Sequence, residues 1–229
     1  MKSLRGLGFL LVTIVIYLGV PLLGWGAGDL AGFFASAPRA AYAGVVLLFG
    51  LAVGLQAIEH PEGIRGGKEQ EGKRVPRQHV VRLAIVSALY GGLFLLPFAD
   101  RQALFVMAES AAVRWAGLLF ATLGCGMVFW SGVSLGRQYS QEVTLQEGHR
   151  LITGGAYRFV RHPRYLGVAL LAAGLALLFR SWAGLALFPV ILGILLFRIH
   201  DEERLMQEAF GQEWEAYARR SWRLIPFLY

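Results

Sequence analysis

Residues 165–197 read YLGVALLAAGLALLFRSWAGLALFPVILGILLF. Arg180 is the one charge in the stretch, and only Arg180 and Ser181 separate two apolar runs, Tyr165–Phe179 and Trp182–Phe197. A helix rises 1.5 Å per residue, so crossing the ~30 Å hydrocarbon core of a bilayer takes about 20 apolar residues. Both runs fall short of that, and a two-residue link permits only a tight turn. The pair reads as a helical hairpin whose members tilt little, thin the bilayer or stop short of crossing it.

Four further apolar segments precede the hairpin: Leu7–Trp25, Ala40–Ile58, Val80–Phe98 and Ala111–Leu135. Of the 229 residues, 56% are hydrophobic and 16% charged, against about 25% charged in a soluble domain. A soluble globular fold is excluded. The expectation is an all-α integral membrane protein with about six membrane helices, including the short C-terminal hairpin. Residues 1–135 form a four-helix membrane region, and 136–229 carry the chemistry. Lys2 and Arg5 precede the first apolar segment without a small-residue cleavage pattern, so it reads as a span rather than a signal peptide.

The net charge is +7. The basic residues flank apolar runs, which points to topology and anionic lipid headgroups rather than nucleic acid. Eighteen of the 22 lysines and arginines fall on one side of the alternating spans; Arg39, Arg101, Arg114 and Arg180 fall on the other. By the positive-inside rule both termini and the long polar loops are cytoplasmic. Glu59–His79, rich in glycine and in both signs of charge, reads as a connector. After the last span, Leu205, Phe210, Trp214 and Tyr217 recur at helical spacing within Asp201–Trp222, an amphipathic C-terminal helix that Gly211 bends or breaks. Gly50-x-x-x-Gly54 and Gly132-x-x-x-Gly136 read as close-packing faces.

Candidate chemistry is confined to the last third. In Arg161-His-Pro-Arg-Tyr-Leu-Gly167, proline disfavours helix at His162 and suits the first helical turn itself, so a helix starts at Pro163. Its N-terminus, flanked by Arg161 and Arg164, suits an anion such as a carboxylate. The same residues make an ordinary helix start with a positive-inside flank, and the segment alone does not choose between the two. Arg198 and Glu202, four apart, share a helix face at the membrane boundary, where ionisable groups are functional candidates by default. His200 reads as a bystander. His149, His162 and His200 match no metal-ligand spacing, so no metal is expected. Cys125 is the single cysteine and lies inside an apolar run, which rules out an internal disulfide. Neither it nor Ser140 has the partners of a nucleophilic triad.

The runs Leu135–Ser140, Glu147–Ile152 and Gly155–Gly167, together with Glu202-Glu203, Phe210-Gly211, Tyr217 and Pro226, resemble the isoprenylcysteine carboxyl methyltransferase family and, more broadly, membrane phospholipid methyltransferases. The likeness spans about residues 133–226. It implies a cytoplasmic S-adenosylmethionine pocket under an amphipathic C-terminal lid. Cofactor-binding positions carried over are His149, Leu151, Ile152, Tyr157, Arg161, His162, Pro163, Arg164, Tyr165, Gly167, Glu202 and Glu203. The resemblance makes Arg198 and Glu202 catalytic, Arg198 orienting the substrate and Glu202 holding the amino group of the cofactor. The family's polar residue upstream of His149 matches Thr144 poorly, and Ala156 stands where a proline is common.

The residues agree with that chemistry. A sulfonium, an amino group and a carboxylate would meet Tyr157 or Tyr165, Glu202 and the helix start at Pro163. The expected function is methyl transfer to a lipid-like or prenylated acceptor, most specifically the carboxylate of an isoprenylcysteine-type substrate. An amine, thiol or phenol acceptor would need a base, for which Glu202, Glu203 and His200 are candidates. Two alternatives are a sterol-type membrane reductase using NADPH, against which the Glu202-Glu203 pair and the His149 loop argue, and a non-catalytic haem- or lipid-binding membrane protein.

Overall fold

A computed structural model describes residues 2–59, 73–74, 77–136, 144–145 and 151–228. Among the described residues, α1 (Lys2–Ile14) runs through a π-helical turn (Val15–Gly19) into α2 (Val20–Trp25). Pro21 accounts for the irregularity: it has no N–H to give the carbonyl of Tyr17, four residues back. That carbonyl instead accepts the Tyr42 hydroxyl at 2.6 Å. After α3 (Leu30–Phe34), capped by Asp29 onto the Gly32 N–H at 3.0 Å, come α4 (Ala37–Glu59), α5 (Arg77–Arg101) and α6 (Ala111–Leu135). Then follow α7 (Pro163–Leu178), α8 (Trp182–Phe210) and α9 (Gln212–Ala218).

Among the described residues, five helical stretches are long and apolar enough to cross a membrane: Leu4–Trp25, Ala37–Glu59, Leu83–Arg101, Ala111–Leu135 and Trp182–Phe210. The 16-residue α7 is not. The chain is an integral membrane protein of nearly all-α architecture, qualified by a two-residue antiparallel ladder that joins β1 (Lys73–Arg74) to β2 (Thr144–Leu145).

The hairpin has the expected turn. Arg180 takes φ 52° and Ser181 caps α8 through the Gly184 N–H at 3.1 Å. Its second arm is longer than the apolar run suggested. Nothing between Arg198 and Phe210 interrupts the helix, so α8 carries on past the apolar boundary until Gly211, at φ 50°, ends it. The amphipathic segment expected over Asp201–Trp222 is therefore divided between the last turns of α8 and the short α9.

The most extensive helix pairing is α6 with α7. A Cβ added at Gly117 would lie 2.3 Å from the Leu178 nitrogen, at Gly124 2.6 Å from the Leu171 nitrogen, and at Gly174 2.4 Å from the Ala121 nitrogen. The two backbones touch, which only glycine permits. Gly50 and Gly54 do form a packing face, against Leu10 and Gly6 of α1. Gly132 and Gly136 do not: no described residue lies within 4 Å of a Cβ built on either, and Gly136, at φ 51°, closes α6 instead.

At the end of the bundle remote from His162, Asp100 is fully buried. Its carboxylate takes Arg114 at 2.7 and 3.1 Å, Arg180 at 2.7 and 2.9 Å and Arg39 at 3.2 Å. Arg39 also donates to the carbonyls of Gly32 and Phe33 at 2.9 and 3.0 Å, and Arg114 to that of Leu178 at 2.7 Å. This ion network ties α3, α4, α5, α6 and the α7–α8 turn together.

Candidate active site

The first turn of α7 and the part of α8 beyond its apolar run meet at one cluster. Pro163 does open α7, and His162 before it has φ −123° and ψ 57°, outside the helix, with no side-chain cap. The N-terminus of α7 therefore faces the cluster through backbone alone. Tyr165, on that first turn, hydrogen-bonds Glu202 through its hydroxyl, and the same oxygen accepts the Arg198 Nε–H. Arg198 Nε also lies 3.4 Å from Glu202 Oε1, the i to i+4 pairing expected on α8.

His162 stacks on Tyr165 with ring centroids 5.8 Å apart and planes 16° from parallel. Its two nitrogens reach two carboxylates, Nδ1 to Glu202 at 3.5 Å and Nε2 to Glu203 at 3.3 Å. His162 and Arg198 are 7% and 5% exposed, so these charges act through protein rather than water. Burial opposes the charged imidazole, but the hydrogen bonds and charges of Glu202 and Glu203 outweigh it and raise the His162 pKa.

Arg164, on the first turn of α7, is half-buried. Tyr157 lies half-buried in a single helical turn, Gly155–Arg158, where Gly155 takes φ 59° and packs on Ser134 at the end of α6. Leu151 and Ile152 precede it, half-buried in irregular backbone. Arg161 and Glu203 pair with each other at 2.8 Å and with the C-terminal segment. Gly167 faces α6, where a Cβ would meet the Gly124 carbonyl oxygen at 2.8 Å. His149, and the side chain of Thr144, lie outside the described residues. His200 is exposed.

Sequence reasoning missed the partners of Arg161 and Glu203. Arg223 donates to Glu203 at 2.7 Å, and residues 222–223 run beside residues 159–162 in a short parallel bridge. The resemblance implied a C-terminal lid and included Tyr217, but it did not single out Arg223.

Residues 116–208, from α6 through nearly all of α8, match the model of the Isoprenylcysteine carboxyl methyltransferase (ICMT) family. Over that segment the chain is similar to the isoprenylcysteine carboxyl methyltransferases. A rice (Oryza sativa) protein named probable protein-S-isoprenylcysteine O-methyltransferase is 29% identical over 119 residues, 51% of this chain and 62% of the rice protein. The chain thus spans under two thirds of that relative's length. A steroid 5-alpha-reductase of Solanum lycopersicum is 31% identical over 116 residues, 49% of this chain but 42% of the reductase. A solved structure of a eukaryotic intramembrane Ras methyltransferase shares the fold, with a TM-score of 0.53 over 97% of this chain and 75% of the other at 19% identity. The matched segment contains His162, Tyr165, Arg198, Glu202 and Glu203.

Proposed function

We propose that this integral-membrane chain transfers a methyl group from S-adenosylmethionine to a lipid-like or lipidated acceptor, the carboxylate of an isoprenylcysteine-type substrate. The observation that carries the reading is the partly buried Arg198–Tyr165–Glu202–His162 cluster, where α7 begins and α8 leaves its apolar run. The family match over residues 116–208 and the rice relative's name support it.

The residues fit the donor's chemistry. Glu202 suits its amino group, and the uncapped start of the 16-residue α7 suits its carboxylate. Tyr157 and Tyr165 offer ring faces for the sulfonium or the adenine, with Leu151, Ile152 and His149 as further walls. Arg161, Arg164 and Glu203 add charge around that pocket. When bound, the donor supplies an activated methyl group, so the chain's task is alignment and exclusion of water.

Arg198 orients the acceptor. A carboxylate needs no base, and a guanidinium held by Tyr165 and Glu202 can present it in a fixed direction. Tyr165 is a positioning residue for Arg198. The site lies on the side of the chain opposite the Asp100 network, whose arginines are those assigned to the outer face. Both termini and the site are then cytoplasmic, and residues 1–135 serve as scaffold for the catalytic region 136–229.

A second reading, a nicotinamide-dependent reductase, draws on the tomato relative. The carboxylate pair Glu202-Glu203 against His162 favours the methyl donor's cationic groups over a nicotinamide phosphate.

The test is methyl transfer from labelled S-adenosylmethionine by the purified chain in nanodiscs. The candidates are a prenylcysteine analogue, phospholipids, fatty acids and small thiols. The expected product is a base-labile methyl ester on the prenylcysteine analogue. Label on phospholipid amine or thiol instead would reject the carboxylate acceptor.

A further inference from the structure

The C-terminal segment is docked on the same two elements that build the site. The Arg161 N–H donates to the Trp222 carbonyl at 2.7 Å, the His162 N–H to that of Arg223 at 3.2 Å, and the Trp222 N–H returns to Phe159 at 2.9 Å. The Arg161 guanidinium bonds the carbonyls of Ala218 and Ser221 and, through Nε, Glu203 Oε1 at 2.8 Å. Glu203 Oε2 takes Arg223 at 2.7 Å. The Tyr217 hydroxyl donates to the Tyr157 carbonyl at 2.7 Å. Trp214, Tyr217 and Leu224 are buried beneath.

These contacts leave Arg161 and Glu203 facing the strap formed by residues 217–224. Glu203 has a second neighbour, His162 Nε2 at 3.3 Å, and His162 in turn reaches Glu202. A continuous path of polar contacts therefore runs from Arg223 through Glu203 and His162 to Glu202. Coupling of this kind is carried by packed polar networks with defined geometry.

We propose that the 217–224 strap positions the donor side of the site, with Arg161 and Glu203 acting as positioning residues that clamp the strap and orient His162 against Glu202. This rests on the reading of the cluster as a methyl-donor pocket and alters the roles carried over to two of its residues. Neither Arg161 nor Glu203 touches the donor. Arg223, outside the carried-over motif and at the far end of the path, matters to the pocket without lining it.

The experiment uses the full chain in nanodiscs as wild type, Arg223→Gln, Arg223→Lys and Glu203→Gln. It reads hydrogen exchange over residues 159–162 and 222–224, the His162 imidazole resonance by NMR, and S-adenosylmethionine affinity. Arg223→Gln is expected to quicken exchange in both segments about tenfold and move the His162 resonance. It also weakens donor affinity about tenfold, while Arg223→Lys restores all three. Glu203→Gln follows Arg223→Gln. Quickened exchange in Arg223→Gln with an unmoved His162 resonance and wild-type affinity would overturn the proposal. So would lost affinity in Glu203→Gln alone with the strap intact, because Glu203 would then touch the donor. Exchange and resonance need no donor. A wild-type chain that binds no S-adenosylmethionine defeats the methyltransferase reading, and these two readouts still decide whether the strap orients His162.

Discussion

Arg198 Nε lies 3.4 Å from Glu202 Oε1, one turn further along α8, and the Tyr165 hydroxyl of α7 bonds both. Two helices thus share one polar contact at the point where the apolar run of α8 ends. An i, i+4 pair on an exposed helix is worth a few tenths of a kcal/mol. Here both partners are anchored by a tyrosine from another helix and Arg198 is buried, so the pair fixes a direction in space.

Removing that anchor separates orientation from binding. Tyr165→Phe deletes a hydrogen bond to each charged group, an interaction worth about 1.5–3 kcal/mol. If part of it is used to aim Arg198, the turnover number falls about 10- to 100-fold while S-adenosylmethionine affinity changes only a few-fold. Initial rates at saturating donor, beside equilibrium donor binding, check this; an unchanged turnover number contradicts it.

Arg198→Ala is expected to stop methyl transfer and leave donor affinity close to wild type, because the acceptor loses its orienting group and Glu202 remains. Arg198→Lys recovers little, since an ammonium lacks the fork that holds a carboxylate in two places. Parallel loss of donor affinity and turnover in Arg198→Ala would place the guanidinium on the donor instead.

The raised pKa of His162 makes a statement about pH. Its ordinary value is 6.5, and the folded value lies above it. The folded state therefore binds the proton more tightly than the unfolded state. The resulting stabilisation is complete below about pH 6.5 and is lost as pH rises through the folded value. The difference in melting temperature between wild type and His162→Gln should shrink from about pH 6.5 upward. A difference that grows with pH contradicts the pairing with Glu202 and Glu203.

Asp100→Asn leaves Arg39, Arg114 and Arg180 without their shared buried carboxylate. Breaking a buried ion network at one member costs about 3–5 kcal/mol. Arg204→Gln removes an exposed i, i+4 contact to Glu208 at 3.3 Å, for which less than about 1 kcal/mol is expected. Thermal unfolding in detergent should rank the two clearly; equal, small losses would show that the network does not hold the bundle.

Features set by neighbours in sequence were legible without a structure. Pro163 fixes a helix start because its ring sets φ and its missing N–H matters least there. Arg198 and Glu202 share a face because helical periodicity puts them there. Gly211 ends a helix because it adopts a backbone conformation other residues resist. The turn at Arg180-Ser181 follows from the interruption of an apolar run.

Features set by distant residues were not. Asp100 meets arginines 14, 61 and 80 positions away, each of which reads alone as a topology flank. The Gly117/Gly124 and Gly167/Gly174 contact repeats every seven residues on two helices, and neither helix signals its partner; the four-residue spacing of Gly132 and Gly136 drew attention to the wrong place. Arg161 and Glu203 sit inside a recognisable motif, yet they contact Arg223 and the strap, which no local pattern ties to them. The C-terminal end of α8 was hidden because its residues turn charged while staying helical.

The measurement closest to the central claim is equilibrium binding of S-adenosylmethionine and of NADPH to the purified chain, as wild type and as Glu202→Ala. The account predicts saturable S-adenosylmethionine binding by wild type, weakened at least 100-fold in Glu202→Ala, and no saturable NADPH binding. Saturable NADPH binding without S-adenosylmethionine binding, or donor affinity unchanged in Glu202→Ala, would contradict it.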